Sequence, residues 1–261
     1  MRTLIDFDDA PVFAVPTADG PRMGLLVDGP QGWGEFSPPP DADDALAARW
    51  LTAAMEPSTV GWPDAVRGRV PVSDGRNRMV VTVGNEGAVD AAVAQIRRAA
   101  DLEIVRLVCD SPAAAAEIRR RVDVPVAVEA DLLGVDPQCA DVAVLRCGAL
   151  GGVRRAMRRV ERLGVPALVE FSGATSIGAA GDVALAAALP DLPYACGPSP
   201  AWLRDGDVVS PARSLIPADG YLPAAPMPAA PDPARLERLL VTDAAVTRRW
   251  RDLVRRATAL I

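Results

Sequence analysis

Arg106, Glu129, Arg146 and Glu170 each stand toward the carboxyl end of a short apolar run, and their charges alternate along the chain. If those runs are neighbouring strands, with backbones about 4.8 Å apart, the four side chains reach one another. Two chemistries are then open. The charges pair among themselves as a ring, or the guanidiniums of Arg106 and Arg146 clamp a carboxylate or phosphate ligand. Acid–base chemistry has few candidates, because all 28 basic residues are arginine and neither lysine nor histidine occurs. Proton transfer near neutral pH falls to a carboxylate, cysteine, tyrosine or bound water, and imidazole ligation of a metal is excluded.

The elements that must hold these residues follow from the pattern around Arg146. DVAVLRCGALGG (141–152) reads as a strand buried on both faces, running into Arg146 and a glycine-rich loop. VRRAMRRVERL follows as an amphipathic helix with Val153, Met157, Val160 and Leu163 on one face, and a new apolar run begins at Val165. Strand, loop, helix, strand is a βαβ unit, and its strand end is where α/β folds carry chemistry. The same alternation places strands near 70–72, 79–83, 103–108, 124–128, 142–146, 167–171 and 194–196. Helices fall near 88–100, 112–121, 152–163 and 176–189. The connections 73–78 and 132–140 are too short for an ordinary helix. The expected fold is α/β, a shortened (β/α) barrel of six or seven strands over 67–222, since a full eightfold barrel takes ~250 residues.

Residues 1–66 read as a small α+β cap lobe: two or three antiparallel strands within 11–38, then a helix over 41–55 capped by Asp43 or Asp44 with Leu46, Trp50 and Leu51 buried. The stretch 61–69 is a linker. From 223 a proline-rich segment leads to helices near 233–240 and 243–258, expected to pack back on the cap. A net charge of −6, with arginines spread over several helices, argues against nucleic-acid binding. Cys109, Cys139, Cys147 and Cys196 lack metal or redox spacing and read as core thiols of a reducing compartment. No membrane span or signal pattern stands out, so a cytoplasmic protein is expected.

GWGEFSP (32–38), GWP (61–63), RVPV (69–72), RRRVDVPVAVEAD (119–131), ADVAVLRCGALGG (140–152) and VALAAALPDLPYACG (183–197) together resemble actinobacterial o-succinylbenzoate synthases of the enolase superfamily, in order along nearly the whole chain. The resemblance implies an enolase-like cap over a barrel mouth, and dehydration in menaquinone biosynthesis. It also implies Mg²⁺ on three carboxylates and two facing lysines, one a base. The three metal positions fall at Thr82, Arg106 and Glu129, the opposing lysine at Arg146, and the Lys-x-Lys strand has no counterpart. On the succinyl-binding strand Glu170 and Phe171 stand where relatives have paired serines, leaving Thr175 and Ser176.

A protein without the metal-dependent chemistry is therefore expected: a binding or partner protein of the pathway, with an active lyase using unfamiliar groups such as Glu129 or Glu170 as the alternative. The substrate-binding candidates are Arg106, Arg146, Thr175 and Ser176, with Arg146 and Glu170 at ancestral catalytic positions. No cofactor is expected, with Mg²⁺ at Glu129 if the family activity is retained. Asp131 beside Glu129 resembles a carboxylate pair that could hold a metal weakly, although it lies two residues further on, near the loop. Trp33, Glu35 and Phe36 either cover a ligand or pack the cap. Gly148, Gly151 and Gly152 either turn the chain tightly or cradle a phosphate at the following helix. A small carboxylate ligand is the expected partner. An unclosed sheet edge suggests a homodimer.

Overall fold

The computed structural model describes residues 5–84, 86–204 and 206–261. The first layer is an antiparallel sheet of β1 (Val12–Val15), β2 (Arg22–Gly29) and β3 (Gly32–Phe36), covered by helix α1 (Asp44–Thr59). Asp43 caps α1, accepting from the Leu46 amide at 2.7 Å. Trp50, Leu51 and Ala54 of α1 are buried against the sheet, whereas Leu46 is only half-buried. Gly34 permits this packing, because a Cβ there would collide with the Ala54 carbonyl.

Alternating strands and helices follow: β4 (Arg69–Pro71), β5 (Arg78–Thr82), α2 (Val89–Arg98), β6 (Ile104–Val108), α3 (Pro112–Arg121), β7 (Val126–Glu129), α4 (Ala130–Val135), β8 (Val142–Leu145), α5 (Cys147–Leu150), α6 (Val153–Leu163), β9 (Ala167–Val169) and α7 (Ser176–Ala188). The chain ends with β10 (Tyr221–Pro223), α8 (Pro233–Leu239) and α9 (Ala244–Thr258). Helix α9 lies along α1, and Trp250 meets Phe36 edge-on at 5.8 Å.

β5 to β9 form a parallel sheet in sequence order. Its convex face, with Val105, Leu107, Val128, Leu145 and Val169, packs on the helices. Its concave face buries Ile104, Ala127, Val142, Val144 and Leu168 beside Tyr194. Beyond β9 the curve continues through one residue pair: Gly197 donates to the Val169 carbonyl and Cys196 to the Pro71 carbonyl, both at 2.8 Å. β4 follows, and β10 then pairs antiparallel with its far side. Among the described residues no backbone pairing joins β4 or β10 to β5. The seam lies where the sequence passes from RVPVSDGRN through Arg78 to MVVT, and there the concave-face Val80 is 56% exposed.

One local expectation is corrected. The GALGG stretch is not all loop: Cys147–Leu150 forms a helical turn ended by Gly151 in the left-handed region at φ 81°. The 132–140 connection has no helix of ordinary length: the six-residue α4 starts at Ala130, directly after the strand end at Glu129, and stops at Val135.

Candidate functional site at the strand ends

The four alternating charges converge. Arg106 on β6 and Glu129 at the end of β7 are 2.9 Å apart, and Glu129 lies 2.8 Å from Arg146, the residue after β8. Arg146 is 2.7 Å from Glu170, which follows β9, and Glu170 returns to Arg106 at 3.2 Å. The ring is closed, with two positive and two negative groups. Each guanidinium spends both terminal nitrogens on it, while Glu129 Oε1 and Glu170 Oε2 each face both arginines. Burial works against the charge on Arg146, but Glu129 and Glu170 more than offset that and hold its pKa above the ordinary arginine value. The Arg106 Nε is buried without a partner among the described residues.

A buried carboxylate that the sequence reading missed sets the ring's frame. Asp182, within α7, accepts from the Cys147 amide at 2.7 Å and the Ser172 amide at 2.8 Å. These residues directly follow Arg146 and lie two past Glu170, so Asp182 fixes the backbone that carries both. Burial raises its pKa to about 7, against the opposing effect of those amides and of Arg146. The available signal was a lone charge in SIGAAGDVALAAA, a helix otherwise free of ionisable groups.

Thr175 and Ser176 are brought near the mouth but are buried and occupied. Thr175 donates its amide to Glu35 at 3.0 Å and its hydroxyl to the same carboxylate. Ala174 and Gly178 amides and the Ser37 hydroxyl complete the shell around Glu35, whose pKa burial pushes up in spite of these donors. The Ser176 hydroxyl donates to Asp207 at 2.5 Å. Glu35 of GWGEF is thus a clasp between the cap and the start of α7, and Trp33 and Phe36 pack in apolar clusters. The amino end of α6 is filled in the same way: Glu56 of α1 accepts from the Val153 amide at 2.6 Å and from Arg154 Nη1 at 2.9 Å. The phosphate reading of Gly148, Gly151 and Gly152 gives way to this internal carboxylate. Asp131 turns to Arg49 at 2.7 Å and Arg159 at 3.4 Å, and the carboxylate pair with Glu129 serves no common ligand.

Mg²⁺ does not fit these residues. Of the three positions implied for the metal, Thr82 supplies a hydroxyl outside the ring, Arg106 a cation, and Glu129 an oxygen already shared by two guanidiniums. Among the described residues no three carboxylate or thiol groups gather to hold a metal.

The chain is 37% identical to an o-succinylbenzoate synthase of Thermobifida fusca, covering 77% of this chain and 81% of that protein. It belongs to the o-succinylbenzoate synthase family. A second member, from Mycobacterium leprae, is 30% identical over 92% of this chain and 87% of its own length. Residues 20–58 match the family model described as Enolase N-terminal domain-like. At the level of fold, 2-chloromuconate cycloisomerase from Rhodococcus opacus superimposes with a TM-score of 0.66 at 13% identity, covering 89% of this chain and 98% of that one. An enolase from Mycobacterium smegmatis complexed with tartrate does so at 0.64 and 16%, covering 88% and 89%. This o-succinylbenzoate synthase family member therefore has the enolase-superfamily fold, with a charged ring that takes in Arg106 and Glu129, two of the three metal positions the resemblance implies, and Arg146, the lysine position it implies.

Proposed function

We propose that this chain is an o-succinylbenzoate synthase family member that lacks the metal-dependent dehydration and acts in the menaquinone pathway as a binding or partner protein. The observation that carries the reading is the closed ring Arg106–Glu129–Arg146–Glu170. Arginine stays protonated near neutral pH and does not serve as the base in place of lysine. A carboxylate ligand at Arg146 must displace Glu129 or Glu170, so ligand binding and ring opening are coupled.

The deciding experiment is turnover of 2-succinyl-6-hydroxy-2,4-cyclohexadiene-1-carboxylate with and without Mg²⁺, beside the Thermobifida fusca relative. No turnover is expected; metal-dependent turnover overturns the proposal. The alternative, a lyase using a carboxylate base, draws on the exposure of Glu129, whose side chain is 37% accessible. It requires metal-independent turnover that Glu129→Gln or Glu170→Gln abolishes. Calorimetry with o-succinylbenzoate on wild type and Arg146→Ala tests the ligand clamp. The unpaired β5 edge supports self-association, for which light scattering is the check, and no helix among the described residues is long and apolar enough to cross a membrane.

A further inference from the structure

A second charged site lies outside the ring, on the outer face of α6. A cavity of about 320 Å³ is lined by Arg49 of α1, by Arg155, Arg158, Arg159 and Arg162 of α6, and by Asp131 as the one carboxylate. Asp131 engages Arg49 at 2.7 Å and Arg159 at 3.4 Å. Arg155, Arg158 and Arg162 have no carboxylate within 4.0 Å among the described residues. Five guanidiniums around one carboxylate leave a strong local excess of positive charge on a chain whose net charge is −6. Like charges this close repel, so the arrangement is stabilised by whatever multivalent anion enters.

The cavity also has fixed walls. Arg159 lies on the backbone at Gly134, where a Cβ would collide with its guanidinium, and it donates to the Ala130 carbonyl at 3.3 Å. Its Nε is buried without a partner among the described residues. Arg162 Nε donates to the Arg158 carbonyl at 3.1 Å, which holds its side chain along the helix. Arg159 and Arg162 are thus held in place, and the exposed Arg155 and Arg158 beside them keep unspent planar donor forks, which match phosphate oxygens better than a point charge would.

We propose that this cleft between α1 and α6 binds clustered phosphate groups, as in a soluble polyphosphorylated small molecule or the adjacent headgroups of an anionic phospholipid surface. The site is independent of the reading given to the ring. Calorimetry of the full chain with inorganic triphosphate at low salt tests the soluble source, and co-sedimentation with phosphatidylglycerol vesicles tests the lipid source. The variants are Arg155→Gln, Arg162→Gln and the triple Arg155→Gln/Arg158→Gln/Arg162→Gln, with Arg120→Gln on α3 as a control. The expected result is saturable binding in at least one arm, weakened about tenfold or more in the triple variant and measurably in each single variant, with the control unchanged. Absence of binding in both arms overturns the proposal. So does binding that the single variants leave unchanged, a readout that holds even if the triple variant does not fold.

Discussion

Arg146 and Glu170 meet at 2.7 Å across the ends of adjacent strands, the shortest of the four contacts around the ring. Arg146 contacts both carboxylates, so its removal leaves Glu129 and Glu170 sharing Arg106 alone. Arg146→Ala should lower the unfolding free energy by up to about 3–5 kcal/mol, the range for removing one partner of a buried pair. The double replacement Arg146→Met with Glu170→Leu should cost less than the single one, because no carboxylate is stranded. Urea unfolding at neutral pH, with both variants beside wild type, measures the difference.

Asp182 gives the stability a pH signature. Its native pKa of about 7 lies above the ordinary 3.8, so the native state holds a proton that the unfolded state releases between these values. Stability from this group is complete below pH ~4 and declines as pH rises through about 7, by up to roughly 4 kcal/mol. Asp182→Asn should flatten that slope. Melting of both proteins between pH 5 and pH 8 checks it, and a slope that persists unchanged in the variant assigns it to other groups.

The two cap carboxylates should prove structural. Glu35→Gln replaces one accepting oxygen by a donor amide and strands at least two of the groups that point at it, costing about 2–4 kcal/mol. Glu56→Ala uncaps α6 and should cost about 1–3 kcal/mol. Hydrogen exchange should show lost protection at the first turns of α7 and α6 respectively, with other regions less affected.

Wild-type melting should be indifferent to Mg²⁺ and to EDTA. Arg106→Glu places three carboxylates together against Arg146, and the repulsion should lower the melting temperature by several degrees. Millimolar Mg²⁺ should return part of that loss in the variant alone. A magnesium-dependent shift in the wild type would contradict the misfit of the metal.

Much of this was legible in sequence. The β5–β9 strands and their helices follow from apolar runs bounded by turn residues, and the alternating charges at Arg106, Glu129, Arg146 and Glu170 are visible in the bare chain. What escaped has a common cause. The pairing of Arg69–Pro71 with Tyr221–Pro223 joins short segments distant in sequence, with no periodicity of its own. Thr175 and Ser176 read as ligand contacts because nothing local to them shows that Glu35 and Asp207 reach them across the fold. Asp182 was passed over within an apolar helix, although an isolated carboxylate there demands partners.

The seam between β4 and β5 alters the mechanics of the whole sheet. A complete barrel sets its own circumference, because every stave is hydrogen-bonded on both sides. With one position open, β5 to β9 form a twisted ribbon whose curvature backbone pairing alone does not dictate. The four charged side chains draw the ends of β6, β7, β8 and β9 inward, acting as a hoop on one rim. High salt or acid, by slackening that hoop, should let the ribbon flatten before the helices leave it.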